Sequence, residues 1–251
     1  MSVNKLVYFY QIYQNYNKLI FENYTMKNVI ITGTSRGIGL ELVHFFLNNN
    51  YNVLAISRNI APLKKINHKN LTYISIDISD EKDLDQISNF IKNNWNSVDI
   101  LINNAGKLIN KPFEQLSSQD FLEVYKVNVF AVASMTQLVL PFLKEHSHVL
   151  NISSIGGVQG SMKFPGLAAY SSSKGALITL TELLAEEYKE SKISFNALAL
   201  GAVQTEMLEE AFPGYKAPVS AVAMAEYIYN FATTGHKFYN GKILQVSSTT
   251  P

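Results

Sequence analysis

A chain of 251 residues, 47% hydrophobic and 16% charged, carries enough apolar material for one large core. Its 21 Lys and Arg against 20 Asp and Glu leave a net charge of +1, which removes any general electrostatic motive for binding nucleic acid or an anionic membrane and points to a small-molecule partner. The absence of cysteine excludes disulfides, thiolate metal sites and cysteine nucleophiles, and fits a reducing, cytoplasmic setting with no metal at the site.

Residues 1–25, MSVNKLVYFYQIYQNYNKLIFENYT, are rich in Tyr, Asn and Lys. Polar residues interrupt their apolar ones too often to span a bilayer, and they lack both the apolar core of a signal peptide and the arginines of a transit peptide. They read as a poorly packed extension ahead of Met26; the alternative is an aromatic arm that docks on a neighbour. From Met26 onward, β-branched runs at 29–32, 53–57, 71–76, 100–103, 149–152, 193–200 and 243–246 alternate with helix-period stretches at 38–49, 82–93, 120–145, 170–190 and 222–233. This order predicts an α/β fold, a single-domain doubly wound (Rossmann) parallel sheet of about seven strands over residues 26–251, with helices on both faces. Sheets of this kind bind ligands at the carboxyl ends of their strands.

The first strand runs into TGTSRGIG, residues 32–39. Gly33, Gly37 and Gly39 allow a tight turn and let a pyrophosphate approach a helix N-terminus, where free N–H groups favour anions. An NAD site usually carries Asp or Glu at the end of the second strand, to bind the ribose 2′-OH. That position here is Ser57, followed by Arg58, and Arg36 lies in the turn itself. Guanidinium groups suit a phosphate, so the expected cofactor is NADP(H) rather than NAD(H). Further along, YSSSK places Tyr170 and Lys174 at i and i+4, on one face of a helix.

Together with NNAG at 103–106, KVNVF at 126–130 and NISSIGG at 151–157, these segments give the chain from Met26 to Val246 its likeness: it resembles the short-chain dehydrogenase/reductase family, classical type. The resemblance implies a catalytic tetrad of Asn128, Ser154, Tyr170 and Lys174, with Ser153 the competing serine. It also implies cofactor contacts from Gly33, Ser35, Arg36, Gly37, Ile38, Gly39, Arg58, Asp77, Asn104, Ala105, Gly106 and Thr205, as well as from Tyr170 and Lys174. Asp77 would meet the adenine and Lys174 the nicotinamide ribose. In this chemistry Tyr170 is the acid that quenches charge on a carbonyl oxygen. The Lys174 ammonium and the charge of the oxidised nicotinamide should draw its pKa down from the usual ~10. Ser154 would bond the substrate oxygen. Asn128 would anchor a water leading from Lys174, so that its loss costs turnover rather than folding.

The expected function is therefore an NADP(H)-dependent oxidoreductase moving a hydride between nicotinamide and a carbonyl or secondary alcohol. The alternatives are a 3-oxoacyl-thioester reductase and a non-catalytic dinucleotide sensor. Leu108, Val158, Met162, Phe164 and the loop 207–215 are the expected pocket walls and suggest an apolar substrate. Helical stretches 120–145 and 170–190 are apolar on more than one face, which predicts a homodimer or homotetramer. The chain departs from the family where Leu200–Gly201 replaces Pro-Gly, where 155–169 is a little long, and where VSSTTP ends the chain without Asp-Gly-Gly. These departures bear on the substrate pocket.

Overall fold

The computed structural model describes residues 26–247, so the expected extension at 1–25 and the last four residues lie outside the described residues. Seven strands form one parallel sheet: β1 (Asn28–Thr32), β2 (Asn52–Ser57), β3 (Leu71–Ser75), β4 (Val98–Asn103), β5 (Leu143–Ser154), β6 (Ser194–Leu200) and β9 (Ile243–Val246), with β7 and β8 given below. Their order across the sheet is β3-β2-β1-β4-β5-β6-β9. The chain builds outward from β1 to β3, then returns to the other side of β1 with β4. A crevice opens at the carboxyl ends where the order reverses.

All five residues of β1 are buried, because a parallel strand is covered on both faces. Alternate side chains divide between two cores: Val29 and Ile31 join the helices on one face, and Ile30 joins those on the other. The first core packs under α1 (Gly37–Asn48) and α7 (Ala221–Thr234) through Leu42, Phe46, Ile228 and Phe231. The second packs under α2 (Asp85–Asn94), α4 (Ala131–Val139) and α5 (Ala168–Glu187) through Ile87, Met135 and Ala185.

The structure corrects the continuous helix expected at 120–145. The chain forms α3 (Ser118–Tyr125), one π-helical turn at Lys126–Phe130, α4, and a 3₁₀ turn at Leu140–Phe142 that carries Pro141. Proline has no N–H to continue a helix, and Leu143 already belongs to β5, which is 12 residues long rather than four. Ser118–Phe142 is long and apolar enough to cross a membrane by composition, with mean hydropathy 1.2. Here it lays Ala131, Met135 and Val139 against the sheet, as a core helix does. After β6, a two-residue strand pair, β7 (Val203–Gln204) with β8 (Val219–Ser220), brackets the loop 207–215, which acts as a lid and contains most of the short helix α6 (Glu206–Ala211).

At the opposite edge of the sheet from the crevice, His148 is buried between β5 and β6. The Ala232 carbonyl, 2.9 Å from its Nδ1, can only accept, so Nδ1 carries the hydrogen and Nε2 accepts from Asn196 Nδ2 at 3.0 Å. Burial pushes this imidazole down to about 4. The unfolded chain therefore takes up a proton near 6.5 that the folded chain refuses until about 4, and stability falls as pH drops through that window. The loss attributable to His148 should reach about 3 kcal/mol. Urea denaturation between the two pH limits should show this slope in the wild type and a flatter one in His148→Gln.

Candidate active site

The crevice is laced from both sides. Thr32 Oγ1, at the end of β1, accepts from the N–H groups of Asn104 and Ala105, each at 3.1 Å. Asn104 Nδ2 donates back to the carbonyls of Thr32 at 3.0 Å and Gly33 at 3.2 Å. Gly33 has φ +74°, and a β-carbon there would lie 2.7 Å from Ala105 Cα; one at Gly39 would lie 2.1 Å from the Gly33 carbonyl oxygen. Only glycine fits this close approach of backbone to backbone. Helix α1 starts at Gly37 with Arg36 at its cap position, without a side-chain cap and with no acid in its first turn. Its leading N–H groups are thus left for an anion, which fits a dinucleotide pyrophosphate. Ser35 and Ile38 are half-buried beside them.

Of the residues expected at the adenosine end, Ser57 is buried and Arg58 extends from the end of β2 with its side chain 80% exposed, 3.8 Å from Asp77. Asp77 Oδ1 takes the N–H and hydroxyl of Ser79 at 2.9 and 2.7 Å. Burial raises the acid's pKa, but these two bonds and the charge of Arg58 hold it below the ordinary value. Arg36 is not free as expected: both of its terminal nitrogens pair with the Glu210 carboxylate of α6. Thr205 caps α6, accepting from Leu208 N–H at 3.3 Å, and lies beside Gly37.

The remaining groups converge from β5, α5 and the π-turn. The buried stripe of α5 runs Ala169, Ser173, Leu177, Thr181, Ala185, with Lys174 beside it only 4% exposed. A buried lysine is rare without a partner; this one donates to the Ile152 carbonyl at 2.7 Å and lies 5.7 Å from the centroid of the Tyr170 ring. Ser153 donates to the Lys174 carbonyl at 3.0 Å, so it secures the helix, whereas Ser154 accepts from Gly156 N–H at 3.2 Å and lies close enough to Tyr170 to act on its charge. The two serines therefore face different tasks.

The electrostatics of the protein's own groups run opposite to the shift expected with the oxidised nicotinamide beside them. Tyr170 is pushed up to about 12, because burial outweighs the opposing influence of Ser154, and burial pulls Lys174 down to about 8. The ammonium lies over the ring and spends a proton on a carbonyl, so it does not by itself draw the phenol toward neutrality. Tyr170 is consequently a protonated acid throughout the neutral range.

Asn128 also differs. Its amide accepts from Lys107 N–H at 2.8 Å and donates to the Lys107 carbonyl and to Ser173 Oγ, both at 2.9 Å. It thus clamps the loop after β4, and Gly106 lies between it and the ammonium: a β-carbon there would be 3.6 Å from Asn128 Oδ1 and 3.7 Å from Lys174 Nζ. The π-turn aims this side chain inward, a detail that helix periodicity does not carry. Asn110, which the sequence reading passed over, donates to the Ala211 carbonyl at 2.7 Å and so joins the β4 loop to the lid. Met162, Phe164 and Tyr215, expected as pocket walls, are exposed, while Leu108, Val158 and Phe212 are half-buried. A cavity of about 550 Å³ lies instead at the amino ends of the strands, lined by Asn28, Asn52, Asp99 and His236.

Comparison with known proteins agrees with this geometry. The family profile described as short chain dehydrogenase matches residues 27–216. The probable short-chain type dehydrogenase/reductase VdlC of Helicobacter pylori is 33% identical over 214 residues, 84% of this chain and 76% of its own. Several other curated relatives are matched over 62–65% of their length. Among solved structures, a 4-hydroxyisoleucine dehydrogenase mutant complexed with NADH and succinate superimposes with TM-score 0.79 at 27% identity, covering 88% of this chain and 96% of that one. ElxO with NADP bound superimposes with TM-score 0.77 at 29% identity, covering 88% and 97%.

Removing Asn128 should cost stability as well as turnover, contrary to the expectation from sequence. Asn128→Ala leaves the half-buried N–H and carbonyl of Lys107 without their partner, at the lower part of the about 1–3 kcal/mol that each such group costs. Urea unfolding should show a total loss of about 2–4 kcal/mol.

Proposed function

This chain belongs to the short-chain dehydrogenase family, an oxidoreductase acting between CH–OH and C=O with a nicotinamide cofactor, and we propose that it uses NADP(H) to interconvert a carbonyl and a secondary alcohol on a small, mostly apolar substrate. The observation that carries the reading is the convergence of Ser154 and Tyr170 with a buried Lys174, held by the Ile152 carbonyl, beside a glycine-lined crevice. A bound nicotinamide supplies or accepts the hydride. Tyr170, held protonated by burial, donates its proton to the carbonyl oxygen during reduction, and Ser154 orients that oxygen by a second hydrogen bond. Lys174 keeps its positive charge below about pH 8 and holds the ribose. Asn128 acts as a positioning residue, fixing the β4 loop under the ring.

The preference for NADP(H) rests on Ser57 where a carboxylate would serve NAD(H), and on the exposed guanidinium of Arg58 beside it. Leu122, Phe130 and Leu183 are exposed on α3, the π-turn and α5, which favours a homodimer or homotetramer burying these helices; light scattering distinguishes it from a monomer. A cytoplasmic setting suits the cysteine-free composition and is tested by cell fractionation.

A panel of ketones and aldehydes, with one acyl thioester included, should reveal turnover by NADPH absorbance, and turnover of the thioester alone would select the acyl-thioester reductase instead. Tyr170→Phe should then lose about 10²–10⁴-fold in kcat while its NADPH Kd stays within about twofold. Unchanged kcat would remove Tyr170 from the acid role. In the wild type, kcat/KM should favour NADPH over NADH, and Arg58→Ala should lower that ratio; a wild-type preference for NADH would defeat the cofactor reading.

A further inference from the structure

The lid helix α6 meets the crevice at three points. Asn110 bonds the carbonyl of Ala211 at its end. Thr205 and Glu206, at its start, lie against the glycine turn: a β-carbon at Gly37 would be 3.3 Å from Thr205 Cγ2 and 3.4 Å from Glu206 Oε2. The third contact is the fork between Arg36 and Glu210. Arg36 Nη2 donates to Oε2 at 2.9 Å and Nη1 donates to Oε1, and the pairing lowers the pKa of the Glu210 acid. Arg36 lies in the glycine turn, 22 residues before Arg58, and is the only other arginine in the chain. The end-on edge of a guanidinium that grips one planar oxyanion with two parallel bonds is not open to a second, and the carboxylate already offsets its charge.

We propose that Glu210 is a cofactor-specificity residue acting through Arg36: its carboxylate competes with the adenosine 2′-phosphate for the same guanidinium. The proposal rests on the reading that Arg36 serves NADP(H). NADP(H) must displace Glu210 to engage this edge of Arg36, and doing so removes one of the three contacts between α6 and the crevice. NAD(H), with a hydroxyl at that position, leaves the pair intact. Glu210 thereby narrows the enzyme's discrimination between the two cofactors. Both side chains are exposed, 45% for Arg36 and 62% for Glu210, so the competition is worth a factor of about two to five in affinity.

Fluorescence titration of the full chain with NADPH and with NADH, for wild type, Glu210→Gln, Arg36→Ala and the double variant, tests this. Glu210→Gln should tighten NADPH by about two- to fivefold and leave NADH unchanged. In the Arg36→Ala background the same substitution should change neither. Thermal melting checks that all four proteins are folded, as the exposure of both residues leads one to expect. An unchanged NADPH Kd in Glu210→Gln, an equal shift for both cofactors, or a shift that persists without Arg36 overturns the competition. If Arg36→Ala leaves the NADPH-to-NADH affinity ratio at its wild-type value, Arg36 does not hold the phosphate, and that reading falls together with this one. If Arg36→Ala lowers the ratio while Glu210→Gln is silent, only the competition is lost.

Discussion

The site depends on how β1 and β4 part. Neighbouring strands of a parallel sheet whose connections run in opposite directions must diverge at their carboxyl ends, and the exposed backbone there needs partners. Thr32 and Asn104 supply them across the gap, each side chain bonding the other's backbone. With the two loops tied this closely, Gly33 has no room for a side chain against Ala105 and Gly39 none against the Gly33 carbonyl. The cradle for an anion is therefore a consequence of the same contact that closes the sheet.

Beneath the crevice, buried polar groups tie the elements that carry the reactive side chains. Asn103 Nδ2 donates to Asn151 Oδ1 at 2.8 Å, and Asn151 Nδ2 donates to Thr181 Oγ1 at 2.9 Å, joining β4, β5 and α5. Lys174 is fixed one turn above Leu177 on that stripe by the carbonyl of Ile152. The environment is dry enough that desolvation governs both titrating groups, raising Tyr170 and lowering Lys174. Each is shifted toward its neutral form: the tyrosine keeps its proton more firmly than a free phenol, and the lysine gives up its charge more easily than a free ammonium.

Much of this was legible from local pattern. The runs at 29–32 and 53–57 match strands to within a residue, since buried parallel strands are continuous apolar stretches, and the half-buried run at 243–246 matches β9. The glycine turn and YSSSK fall where expected, at the end of β1 and the start of α5. Pattern failed where a polar stretch took a regular conformation or an apolar one changed its own. The first half of β5, LKEHSH, does not read as strand: 143–145 fall in the expected helix and 146–148 in no element, and three of its first four residues are exposed. The stretch after Ser118 keeps an apolar helical character through a π-turn that shifts Asn128 inward and through Pro141, where the helix ends.

By itself the sequence determined which chemical groups are present and on which local element each stands, because periodicity, glycine placement and i,i+4 spacing reflect short-range sterics. Partnership was decided only by the tertiary structure. Arg36 meets a carboxylate 174 residues away, and Asn128 clamps a backbone 21 residues before it. The direction of the Tyr170 shift belongs to the same category. A phenol beside a lysine in sequence suggests a lowered pKa, yet the outcome depends on how much water is excluded and where the ammonium points. Desolvation and charge are sums over whatever surrounds a group in space, and one-dimensional spacing leaves most of those neighbours unnamed.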